Sequence, residues 1–107
     1  MAAHCNALPE EMLAGMVAAQ RLRDAAFART ALSALADTGG PVVVITGSGH
    51  ADLARGIPAA LAVAAPDVAV LSIGQVEGDP GADAPFDLWI VTLPTPREDP
   101  CAAFAKP

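Results

Sequence analysis

Val42-Val43-Val44-Ile45-Thr46-Gly47-Ser48-Gly49-His50 is the stretch on which the fold turns. Five β-branched residues in a row suit a strand buried on both faces, as in a parallel sheet. The Gly-Ser-Gly-His that follows reads as the turn leaving that strand. Upstream, Thr38-Gly39-Gly40-Pro41 is a firm stop, and it closes a helical stretch running from Pro9 to about Ala36. That stretch opens on Leu8-Pro9-Glu10-Glu11, with proline and acids placed where a first helical turn tolerates and rewards them. Downstream, a broken helical stretch (Ala51 to Arg55, then Pro58 to Ala65) leads to a second buried strand, Val68 to Ile73. The segment Glu77 to Pro85 carries glycine, proline and aspartate and reads as a loop. Phe86 to Leu93 is a third strand, and Pro94 to Pro107, with four prolines, is a tail.

The expected architecture is therefore α/β: a long helix followed by β-α-β-β, with a small, mainly parallel sheet. The β-α-β part should form a right-handed crossover, and the third strand is expected to pair antiparallel to the second. Such a sheet keeps open, valine-rich edges, which invite pairing. The chain is accordingly expected to form a homodimer or to be one half of a larger α/β domain.

Composition narrows the function. Of 57 apolar residues among 107, 25 are alanine, which leaves a thin core. Charged residues make up 17% and mean hydropathy is +0.43, which excludes global disorder. No apolar run is long enough to span a bilayer, and the first residues do not read as a signal peptide. A net charge of −6 argues against a nucleic-acid partner, which needs a basic surface. Cys5 and Cys101 are too few for a disulfide framework or a zinc cluster. They are expected to be free thiols, with one staple between them as the alternative.

On a helical wheel, Leu13, Met16, Val17, Phe27, Ala31 and Leu35 share one side of the long helix, and Glu10, Glu11, Arg21 and Arg29 lie opposite. Gln20, Arg23 and Asp24 interrupt the apolar side. Either Arg23 and Asp24 tie the helix to backbone elsewhere, or all three face a polar site at the strand ends, where ligands of open parallel sheets sit. Gly47 and Gly49 would let the backbone approach a ligand, and His50 would stand at the rim, able to ligate a metal or move a proton. The turn lacks the third glycine of a dinucleotide fingerprint and the Gly-Lys-Ser/Thr of a phosphate loop. A serine-nucleophile elbow is absent. There is no tyrosine to ligate iron and no Cys-x-x-Cys-His for covalent haem attachment.

His4-Cys5-Asn6-Ala7-Leu8-Pro9, the Gly15–Ala26 helix with its Gln20-x-x-Arg23-Asp24, Gly47-Ser48-Gly49-His50, Arg55-Gly56-Ile57-Pro58 and Val70–Glu77 together resemble the ChaN-like haem-binding uptake group of the Tiki superfamily. The resemblance spans roughly residues 4–93 and implies a partial ChaN-like domain there, with 94–107 as a proline-rich tail. It implies a non-catalytic protein of iron uptake in the periplasm or cell envelope that binds haem as a dimer. The alternatives are a metal-dependent hydrolase relative holding a divalent ion, or a fragment that needs its missing N-terminal half. By carry-over, Gly47, Gly49 and His50 match one Gly-x-Gly-His motif, and Gln20, Arg23 and Asp24 match polar helix positions. His50, with His4 a second candidate, would lie near iron; Arg23 or Arg55 would meet a propionate. Compared with the family, the Gly-Glu-x-His turn and the Leu-Glu strand are missing, so the chain reads as the carboxyl-terminal half of an α/β domain.

Overall fold

The computed structural model describes residues 5–104. A 3-10 turn, Glu10–Met12, leads directly into α1, Leu13–Thr38. Alanine and straight-chain residues let this helix run for 26 residues. Gly39 ends it in the left-handed region (φ 78°), where its N–H reaches the carbonyl of Leu35 at 2.8 Å. After an extended stretch comes the single turn α2, Ser48–Ala51, and then α3, Ile57–Ala64, with Pro58 in its first turn. Strands β1, Ile73–Glu77, and β2, Leu88–Thr92, complete the order.

The core sits where α3 crosses α1. Ala28, Ile57 and Leu61 are buried, and Leu32 and Ala60 pack around them. Ala28 is small enough to let the two helices approach closely. Large apolar side chains elsewhere are exposed, including Val43, Ile45, Leu71, Leu93 and every apolar residue of β2. None of the described helices is long and apolar enough to cross a membrane.

The small, mainly parallel α/β arrangement matches expectation, with three differences. Val42–Thr46 is extended but joins no sheet, because a β-branched run favours extension and only a neighbouring strand makes it a ladder. The second strand begins at Ile73 instead of ending there. Its pairing with β2 is parallel, not antiparallel, in the register Ile73↔Leu88 through Glu77↔Thr92. The connection between them turns back on itself through Gly78 and Gly81, both at positive φ (75° and 78°), and returns the chain to the starting end of β1. There Phe86 lies over Gly74 so closely that any Cβ on Gly74 would enter the ring.

Cys5 and Cys101 form a disulfide, which corrects the expectation of free thiols. Their Cα atoms lie 5.2 Å apart, within the span a disulfide bridges. The fold folds the tail back to the start of the chain, a proximity that spacing along the sequence does not reveal.

Candidate functional site

The site is built from two faces of the fold. Gln20, Asp24 and Phe27 come from successive turns of α1, at spacings of four and three residues that place them in one row. His50 comes from α2, which is held over that row by the turn that follows it. In that turn the Asp52 carboxylate accepts hydrogen bonds from the Ala54 N–H (2.8 Å) and the Arg55 N–H (3.1 Å). Leu53 N–H is tied to the Pro85 carbonyl (2.9 Å), and the Ser72 hydroxyl donates to the Ala51 carbonyl. Gly56 seals the turn. A Cβ there would collide with the carbonyl groups of His50 and Asp52, so glycine is required by close approach of backbone to backbone.

His50 Nδ1 lies 2.6 Å from Asp24 Oδ1, and the Asp24 side chain is 3% exposed. The Asp24 carboxylate can only accept, so the Nδ1–H donates and the imidazole Nε2 keeps its lone pair. Gln20 Nε2 lies 3.0 Å from that Nε2 and 3.1 Å from Nδ1, nearly equidistant from the two ring nitrogens, so its amide rests against the face of the ring and leaves the direction of the Nε2 lone pair clear. Phe27 meets the imidazole edge to face, with ring centres 5.3 Å apart. A buried carboxylate orienting a histidine through one ring nitrogen is the arrangement that aims the other at a metal.

The remaining expected site residues fall differently. Arg23 is exposed and, among the described residues, pairs with no carboxylate. It does not join Gln20 and Asp24 on the histidine, because one residue along a helix turns the side chain by about 100°. Arg55 donates through Nε (3.3 Å) and Nη2 (2.9 Å) to Asp52 Oδ2, while its side chain stays 80% exposed. Burial of Asp52 works to raise its pKa, but the Ala54 N–H, the Arg55 guanidinium and the Arg55 N–H outweigh it and hold the carboxyl below its ordinary value. Gly47 and Gly49 have open space where a Cβ would stand, and neither has a positive φ. The turn itself therefore does not demand glycine at either place. His4 lies outside the described residues. Phe27 and Asp52 are the contributors that sequence reading passed over as site residues.

Among the described residues there is no group of three His, Cys, Asp or Glu side chains that could hold a metal ion. A divalent ion held by protein alone needs several such donors. An iron porphyrin brings four nitrogens of its own and asks the protein for an axial ligand, so the donor set here fits haem better than a bare ion.

The family model for haem-binding uptake, Tiki superfamily, ChaN, matches residues 1–61. That span contains α1, the glycine turn, His50 and the start of α3. Neither the curated proteins nor the solved structures include a match to this chain. With more than half of its length matched, the chain belongs to the ChaN haem-binding uptake family of the Tiki superfamily.

Proposed function

We propose that this protein binds haem for iron uptake, and that His50 would hold the iron through Nε2. The observation that carries the reading is the 2.6 Å contact between His50 Nδ1 and the buried Asp24 carboxylate. It fixes the direction of the lone pair on the other ring nitrogen, with the Gln20 amide resting against the ring. The exposed guanidinium of Arg23 and the outward donors of Arg55 suit the two propionate carboxylates. The role we infer is carriage without catalysis, which the family's description as an uptake group supports. The Cys5–Cys101 disulfide supports an oxidising compartment, such as the periplasm or cell envelope, where such bonds persist.

Haemin titration followed by the Soret band tests the reading. The wild type is expected to give a saturable, shifted band. His50→Gln, whose amide can still donate to Asp24, is expected to lose it while far-ultraviolet circular dichroism stays unchanged. An identical band from folded His50→Gln protein overturns the assignment.

A further inference from the structure

We propose that Asp24 makes this site select ferric over ferrous haem, by holding an uncompensated negative charge behind the His50 imidazole. The inference rests on the reading that His50 would hold the iron, and it deepens that reading by naming the oxidation state carried.

Asp24 and Asp52 are both buried, and the fold treats them differently. Asp52 carries a guanidinium: Arg55 donates to its Oδ2 through Nε and Nη2. Asp24 has no arginine or lysine partner among the described residues. Arg21 and Arg23, close to it along α1, are exposed, and Arg55 is taken by Asp52. What meets Asp24 Oδ1 is His50 Nδ1, at 2.6 Å. With that nitrogen donating and Nε2 keeping its lone pair, the ring is neutral. The pair therefore holds a full negative charge away from water, in contact with the Phe27 ring on the imidazole side. A buried charge met only by a neutral donor is costly, and the cost is relieved by positive charge brought close to it.

The open end of the pair is the second ring nitrogen, so relief is greatest for a ligand that carries positive charge there. The two oxidation states of haem differ in this respect. The inner nitrogens of the porphyrin carry two negative charges, so ferric iron leaves the core with one positive charge and ferrous iron leaves it neutral. The propionates are the same in both. At an effective dielectric constant of about 20, two unit charges on either side of one imidazole attract by an amount equal to about 10–100-fold in affinity. Ferric haem gains that factor and ferrous haem does not. By linkage the same factor lowers the potential of the bound haem, by about 59 mV for each tenfold. Asp24 does this through His50, without touching the haem.

Spectroelectrochemistry of the haemin-loaded full chain tests it, with mediators and no thiol, so that Cys5–Cys101 stays closed. Asp24→Asn and Asp24→Ser keep an acceptor for the His50 Nδ1–H and lose the charge. Each is expected to show the Soret band at raised haemin concentration, with ferric affinity about 10–100-fold weaker and a midpoint potential about 60–120 mV higher than wild type. A merely structural loss weakens both oxidation states alike and leaves the potential where it was. Asp37→Asn removes an equal charge from an exposed position near the end of α1 and is expected to leave the potential unchanged. A potential that rises in neither Asp24 variant, or that rises as much in Asp37→Asn, overturns the proposal while haem binding by the wild type stands. So does complete loss of the band in both Asp24 variants, which makes the carboxylate a requirement for holding haem in either state. A wild type without a Soret response overturns the haem-binding reading and this inference with it.

Discussion

Breaking the Asp24–His50 pair from each side gives the sharpest test of how the site is held. Asp24→Ala leaves the His50 Nδ1–H without its acceptor. The ring keeps 19% of its side-chain surface exposed, so water partly compensates, and the cost is about 1–2 kcal/mol. His50→Ala does more harm, because it strands a carboxylate that is 3% exposed and strips Phe27 of its edge contact. Loss of one partner of a buried pair costs about 3–5 kcal/mol, and the lower figure applies to a pair with one half-open member. Once His50 is gone, Asp24→Ala removes an unpaired buried charge and should recover part of that loss. The double variant is therefore expected to be more stable than the sum of the single losses predicts, by about 1.5–3 kcal/mol. Urea unfolding followed at the helical band, which α1 dominates, measures all four proteins. At about 1–2 kcal/mol per molar urea, the His50→Ala midpoint should fall by about 2 M, and most of the coupling should appear as a midpoint for the double variant at or above that of His50→Ala. Additivity within about 0.5 kcal/mol would refute the pairing as an energetic unit.

Two further outcomes follow from the turn beneath His50. Asp52 has a folded-state pKa below its ordinary value, so its charge adds stability above about pH 4, the unfolded value, and that contribution is lost as the pH falls through the folded value. Asp52→Asn keeps an acceptor for Ala54 and Arg55 but loses the charge; it should cost about 1 kcal/mol at neutral pH, with the difference from wild type fading in acid, and a gap that persists undiminished at the lowest pH contradicts this. Gly56→Ala drives a Cβ into the carbonyls of His50 and Asp52, backbone that cannot swing away. It should lower stability by about 1–3 kcal/mol and weaken the haemin Soret response together, and a wild-type urea midpoint counts against the close approach.

The parts of the molecule legible in the sequence are those set by neighbours along the chain. Pro9 with two acids, and Thr38 with two glycines, bracket α1 to within a turn. Polar Gln20 and Asp24 stand out because an i, i+4 pair on an otherwise apolar stripe needs a partner, and that partner is His50. Arg23 lies within the apolar side on the wheel, as Asp24 does, but the buried face is narrower than that side and leaves Arg23 exposed. Phe27 passed as ordinary core because nothing in an apolar side chain at helical spacing announces an aromatic contact with a histidine. The sheet was harder to read for a different reason. β-Branched runs reveal which segments extend, but whether Val42–Thr46 finds a neighbour, and in which direction β2 runs against β1, depends on groups far apart in sequence. The pairing of Cys5 with Cys101 is beyond local reading for the same cause.

That covalent link also alters the topology of damage. Cys5 and Cys101, 96 positions apart, turn nearly all of the backbone into a closed ring. A protease that nicks the exposed bend around Gly81 and Ala82 would thus leave a molecule of one piece, migrating as a single species until a reductant is added. The same ring means that new termini could be opened at that bend without freeing either end to diffuse away, so the chain tolerates cutting where an unlinked relative would come apart.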